Sequence, residues 1–200
     1  MILPVIAYGD PVLRKVGKEI ETDYPGLQDI ITNMFDTMRN ALGVGLAAPQ
    51  VGKSIRLFVV ETKAFTEKGE DDENDDDEFS PEERKQLTHF RKVFINAKIT
   101  EEVGEEWAFN EGCLSIPKIR EDVMRKPKVR IQYYDEKFDF FDETYEGLVA
   151  RVIQHEFDHI EGKLFTDKIS PLRRRLLQGK LTDISKGKVR IGYKMRFPNG

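Results

Sequence analysis

His155 and His159 stand four residues apart in the stretch RVIQHEFDHIEGKLF, Arg151 to Phe165, and Glu156 directly follows the first of them. On a helix, residues i and i+4 leave the same face one turn apart, so the two imidazoles can converge on one ion. Glu156 is a single step along, too short a sidestep for a good third ligand. It is well placed to take a proton from a water that the cation activates, and to return it. The competing reading is a pair of hydrogen-bonded core histidines. Burial weighs against that reading, because a buried glutamate between two buried histidines is costly unless a cation offsets it.

The pattern supplies two ligands, and the chemistry asks for a third. In the zinc-peptidase pattern H-E-x-x-H-x-x-G-x-x-H, Gly162 fits but Phe165 takes the place of the last histidine. A glutamate from a second, downstream helix is not on offer, since beyond Glu161 only Asp167 and Asp183 carry carboxylates. Upstream stand His89 and Cys113. His89, in QLTHFRK, belongs to a polar stretch and reads as an exposed bystander. Cys113 lies in NEGCLSIP, a glycine-containing turn between strands from which a thiolate can be aimed at a buried ion. As the single cysteine it forms no internal disulfide. One thiolate and two imidazoles leave a fourth position for water, as a catalytic site requires and a closed structural site does not.

Other elements must hold these residues in place. Leu27, Ile30, Ile31, Met34, Met38 and Leu42 recur at spacings of three and four, which predicts an amphipathic helix starting near Pro25 and stopping at Gly43. The following GVGLAAPQVG is too rich in glycine and small residues for a helix and reads as a loop that lets backbone approach something closely. SIRLFVVE reads as a buried strand, and residues 93 to 146 alternate apolar and polar residues as antiparallel strands do. Leu148, Val149, Val152, Ile153, Phe157 and Ile160 make the helix of about residues 147 to 161 apolar around most of its circumference, so it should be buried, with Gly162 at its end. SPLRRRLLQGK predicts one more helix, capped by Ser170 with Pro171 in its first turn and docked through Leu172, Leu176 and Leu177. The fold class expected is α+β: antiparallel sheets packed around a buried central helix carrying the H-E-x-x-H residues, with an N-terminal and a C-terminal helix.

Two hundred residues, 39 % of them hydrophobic and 13 of them Phe, fit one catalytic domain spanning residues 1–200. Within it, residues 62–91 read as a polar and acidic insertion and residues 170–200 as a basic extension. EDDENDDDE, Glu70 to Glu78, holds eight acidic residues in nine positions and reads as a solvated loop. From Lys163 onward eleven Lys or Arg face Asp167 and Asp183, a basic excess that attracts phosphate and equally suits an ordinary solvated helix. The overall net charge of −4 gives no argument for DNA binding or a membrane surface. No run approaches the roughly 18 to 20 apolar residues of a membrane helix, and MILPVIAYGDPV lacks the features of a secretory signal.

Three segments, GVGLAAPQ (Gly43–Gln50), EGCLS (Glu111–Ser115) and QHEFDH (Gln154–His159), resemble in order the three signature motifs of the peptide deformylases. The resemblance covers about residues 2 to 170. It implies a metal-dependent hydrolase that removes the formyl group from the N-terminal formyl-methionine of new polypeptides and releases formate. It further implies that Cys113, His155 and His159 hold one divalent ion, typically Fe²⁺, with Zn²⁺, Ni²⁺ or Co²⁺ able to take its place. Glu156 would then move the proton, while the Gln50 side-chain amide and the Leu114 backbone N–H would stabilise the oxyanion. Gly45 should pair backbone to backbone with the substrate, whose methionine would enter a pocket of Val44, Leu148 and Val152 with the stem of Glu111 on its rim. Arg120 matches a position near the outgoing peptide, and Asp158 pairs either with Arg125 or in an ordinary surface bridge. The implied partners are formyl-methionyl nascent peptides, and the implied location is a bacterial cytoplasm. A zinc peptidase and a ribosome-associated RNA-binding protein are the competing classes.

Overall fold

In the computed structural model, residues 1–67 and 79–198 are described, so the acidic run from Glu70 to Glu78 lies outside the described residues. Along the chain the elements are β1 (Val5–Ile6), α1 (Leu27–Asn40), β2 (Gly45–Ala47), β3 (Leu57–Glu61), α2 (Pro81–His89), β4 (Arg91–Val103), β5 (Trp107–Cys113), β6 (Ile116–Arg125), β7 (Lys128–Tyr134), β8 (Phe140–Glu146), α3 (Gly147–Ile160), α4 (Pro171–Ser185) and β9 (Met195–Arg196). Five strands form an antiparallel sheet in the order β2-β3-β4-β7-β8, and β5 and β6 make a separate antiparallel hairpin.

Strand β3 shows how the layers arise. Leu57, Phe58, Val59 and Val60 are all fully buried, which requires cover on both faces of the sheet. Leu57 and Val59 point to the side covered by Ile30, Ile31, Met34 and Met38 of α1. Phe58 and Val60 point to the other side, where Val149, Ala150, Ile153 and Ile160 of α3 pack with Phe94 and Ile131. The far flank of α3 meets the β5–β6 hairpin, so the motif helix is enclosed as its composition predicts. Gly147 (φ +61°) opens α3, and Gly162 (φ +70°) follows its end. A Cβ at Gly162 would stand 2.6 Å from the Arg14 carbonyl oxygen, so both conformation and space demand glycine there.

Four expectations change. The loop expected over residues 43–52 contains β2, a three-residue strand at the sheet edge, followed by a 3₁₀ turn over Ala48–Val51. The polar insertion contains α2, closed at its start by a capping box in which Ser80 and Glu83 satisfy each other's backbone N–H and anchored by buried Leu87. The third sheet is parallel, not antiparallel: β1 pairs with β9, tying the two ends of the described chain together. Finally, α4 runs to Ser185 and docks through Leu177, Leu181 and Ile184, whereas Leu172 and Leu176 are 68 % and 66 % exposed. The docking positions step by four and three residues, and the leucines nearer the cap fall outside that stripe.

This assignment of the docking face has a direct test. Leu181→Ala should cost about 2–5 kcal/mol of unfolding free energy in urea. Leu176→Ala should stay within about 0.5 kcal/mol of the parent, and equal effects of the two would reverse the assignment.

Candidate metal centre

Strand alternation brings the thiol to the histidines. In β5 the residues Trp107, Phe109, Glu111 and Cys113 follow one another at period two, and the ladder with β6 shifts register between Gly112 and Cys113. Cys113 Sγ lies 3.3 Å from His159 Nε2, and one ligand atom from each of Cys113, His155 and His159 falls within 4.8 Å of the others. Two ligands of one tetrahedral ion, at the usual metal–sulfur and metal–nitrogen bond lengths, stand about 3.5 Å apart. The spacing and the donor set, one sulfur and two imidazoles, therefore fit a borderline-soft divalent ion. His89 is not in the group; it is exposed on α2, its Nδ1 against the Lys85 carbonyl.

The histidines are oriented from behind. His155 Nδ1 lies 2.9 Å from Glu111 Oε2, and because an ionised carboxylate only accepts, Nδ1 carries the hydrogen and Nε2 offers its lone pair. Arg125 grips the same carboxylate through Nε and Nη2 at 2.7 and 2.9 Å and reaches Asp158 through Nη1 at 2.7 Å. Arg151 adds a bond to Glu111 at 3.0 Å and one to the Val123 carbonyl at 2.9 Å, and its guanidinium lies over the Trp107 ring. Burial alone would raise the Glu111 pKa, but the hydrogen bonds from His155 and Arg125 hold the carboxyl well below the usual range. Asp158 and Arg125 thus meet as a buried pair, not as an ordinary surface bridge. Glu111 is correspondingly more than a rim: its stem borders the cleft while its carboxylate fixes a ring.

Glu156 is handled differently. It is 4 % exposed, its Oε2 has no hydrogen-bond partner, and burial pushes its pKa up to about 7. Its side chain lies over Gly45, where an added Cβ would stand 2.7 Å from both Cγ and Cδ of Glu156. Burial likewise drives the His159 pKa well below its ordinary value, keeping that ring in the neutral form that can ligate. An unpartnered buried carboxylate oxygen beside three ligand-type atoms fits a cation and its water.

Two donors border the same space. The Ala47 N–H donates to Gln50 Oε1 at 2.8 Å, which turns the amide nitrogen toward Ser115 Oγ at 3.3 Å and Cys113 Sγ at 3.5 Å. Leu114 sits at the turn between β5 and β6. The cleft, about 740 Å³, is lined by Val44, Gly45, Gln50, Leu114, Arg120 and Val152 together with the metal-site residues Cys113, His155 and Glu156. Leu148 does not line it: it lies on the same stripe one turn before Val152, beyond the reach of the cleft, and packs against the main core. Arg120 is held beside the cleft by hydrogen bonds to Asn110. Apolar cover from Phe65 and Phe109 and a wall from Arg190 to Tyr193 were not foreseen. They come from segments distant in sequence that carry no motif of their own.

Residues 2–175 match the family model described as Polypeptide deformylase. The chain is 59 % identical over 199 residues to a peptide deformylase of Christiangramia forsetii, covering 100 % of this chain and 97 % of the relative. It is 58 % identical to one of Flavobacterium johnsoniae, covering 98 % and 96 %. Among solved structures, a crystal structure of a peptide deformylase from Legionella pneumophila superposes with a TM-score of 0.76 at 37 % identity, covering 95 % of this chain and 99 % of that one.

The buried ion network can be tested by removing its central cation. Arg125→Met leaves Glu111 to Arg151 and His155 alone and Asp158 to Lys168 at 3.5 Å, and should lower unfolding free energy by about 3–5 kcal/mol. The same variant should also hold its metal less tightly, by about 10- to 100-fold, because the carboxylate that orients His155 is then free to move. Unchanged stability in a urea titration would contradict the role given to the network.

Proposed function

This chain belongs to the polypeptide deformylase family, and from that membership we propose that its cleft hydrolyses the N-formyl group of formyl-methionyl nascent peptides in a metal-dependent reaction. As a family member it is a hydrolase. The observation that carries the metal-dependent reading is the cluster of Cys113, His155 and His159 with the unpartnered Oε2 of Glu156 in the same site. The ligands would be Cys113 Sγ and one ring nitrogen from each histidine, and Fe²⁺ is the proposed native ion, with Zn²⁺, Ni²⁺ or Co²⁺ accepted by the same donor set. When bound, the ion supplies Lewis acidity to water and to the formyl carbonyl.

The residues of the chain do the rest. Strand β2 is the edge of its sheet, so Gly45 presents backbone groups to an extended peptide without regard to its side chains, as suits an enzyme that meets every new chain. Val44 and Val152, with the stem of Glu111, form the apolar seat for the methionine side chain, and Arg120 stands by the outgoing chain. Glu156 accepts a proton from the attacking water and delivers it to the departing amine, a task for which a pKa near neutrality suits both directions of transfer. Gln50 Nε2 and the Leu114 N–H donate to the oxyanion as the formyl carbon becomes tetrahedral.

Such substrates place the enzyme in a bacterial cytoplasm; among the described residues no helix is long and apolar enough to cross a membrane. Ribosome contact, if made by the basic region, falls to the exposed flank of α4 with Leu172, Leu176 and Arg175. Arg173 and Arg174 are engaged by Glu121 and Asp167.

Formate release from formyl-Met-Ala peptides is the deciding assay. Cleavage of internal peptide bonds without formate would move the chain to the peptidases. Glu156→Ala should keep its metal and lose about 10²- to 10⁴-fold in kcat. Gly45→Ala, whose methyl collides with Glu156, should retain metal and fold but lose kcat; full turnover in Glu156→Ala removes Glu156 from the mechanism, and full turnover in Gly45→Ala removes only the need for glycine against it.

A further inference from the structure

The family match ends at residue 175, yet the chain from Arg190 to Tyr193 forms one wall of the cleft. Tyr193 does more than cover it. Its hydroxyl donates to the Leu114 carbonyl at 2.7 Å. The next carbonyl along, that of Ser115, accepts from the Tyr8 N–H at 2.8 Å. Both anchors are themselves joined, since Val5 N–H donates to the Lys194 carbonyl and Ala7 N–H to the Arg196 carbonyl, each at 2.9 Å. The Leu114 side chain is seated in the space that Gly43 leaves, where a Cβ would come within 2.8 Å of Leu114 Cδ1. The turn carrying Leu114 is therefore held on its carbonyls by one assembly, β1 with the β9 segment, and on its side chain by the loop before β2.

We propose that Tyr193 is a positioning residue for the reaction: by fixing the Leu114 carbonyl it fixes the direction of the Leu114 N–H toward the developing oxyanion. The physical reason is the planarity of the peptide unit. Only φ and ψ of Leu114 separate the plane that holds its N–H from the plane that holds its carbonyl oxygen, so pinning one oxygen restricts the other plane. A donor to an oxyanion is useful only when aimed before the charge develops, because its contribution comes from not having to reorganise. Residues 190–196 thus belong to the working site although no motif marks them. The inference rests on the role proposed above for Leu114.

The test compares the full-length wild type, Tyr193→Phe, and Tyr193→4-aminophenylalanine, which returns a donor to the same place. Formate release by the wild type is measured first; its absence would overturn the proposed function and would leave the aim of the amide to be read by exchange. In Tyr193→Phe, kcat should fall about tenfold, a part of the 10²- to 10³-fold effect of deleting an oxyanion donor outright. KM, metal content and melting temperature should hold, because ground-state binding is not touched. Hydrogen exchange at the Leu114 amide should quicken in the same variant, and 4-aminophenylalanine should restore most of both properties. A rise in KM at constant kcat would make Tyr193 a substrate wall only, and unchanged kcat with unchanged Leu114 exchange would overturn the inference. Should Tyr193→Phe melt early, failure of 4-aminophenylalanine to restore kcat while restoring stability would overturn it as well.

Discussion

The Glu111 carboxylate accepts four hydrogen bonds, two from Arg125 and one each from Arg151 and His155, in a place almost closed to water. A carboxylate there is tolerable only when nearly all its acceptor sites are filled, since desolvation is repaid by pairing and geometry or not at all. Its partners come from β6 and α3, and Glu111 itself comes from β5, so satisfying one side chain sets how the hairpin docks on the helix. Asp158 against Arg125 brings the buried group to two carboxylates and two guanidiniums, a neutral set. Because the hairpin also carries Cys113 and the helix also carries His155 and His159, the contact that makes the burial of Glu111 affordable is the one that assembles the candidate site.

Against that well-satisfied background Glu156 stands out. It follows His155 on the same helix and is as buried as Glu111, but one of its oxygens lacks a partner and its pKa rises where that of Glu111 falls. Two carboxylates in one interior are thus given opposite environments, one held ionised by its partners and the other pushed toward the neutral form by burial. Gly45 belongs to this contrast. Its φ is not in the left-handed region, so glycine is needed there for lack of a side chain alone, and the group that fills the space is Glu156.

What the sequence made legible were features that repeat or are chemically rare. The three- and four-residue spacing of α1 and α3 marked both helices, and the four-residue spacing of His155 and His159 marked the face they share. Cys113 was legible as the one remaining soft donor. Features with no period were not legible. Strand β2 is three residues long, too short to alternate, and exists because β3 offers it a partner. Helix α2 has one buried anchor, so its signal was the Ser80 and Glu83 cap, not a stripe. Leu148 and Val152 share a helical stripe, yet only Val152 borders the cleft, because the cleft is bounded by residues from other segments that the helix pattern does not contain.

The two ends illustrate the same limit more sharply. A pair of two-residue strands, β1 and β9, carries almost no sequence signal, and an isolated ladder of that length has little stability of its own. What holds it is its surroundings: Leu177, Leu181 and Ile184 of α4 share a core with Ile6, Ala7, Ile116 and Ile119. Helix α4 is thereby docked against the hairpin whose tip bears Cys113 and Leu114, and Arg173 adds a paired bond to Glu121 on β6. Once α4 is seated, the chain after it has only a short distance to cover before it meets β1, and the donor from Tyr193 to the Leu114 carbonyl follows from that return path. A contact of this kind is written in no local pattern, because it depends on three pieces distant in sequence meeting at one place.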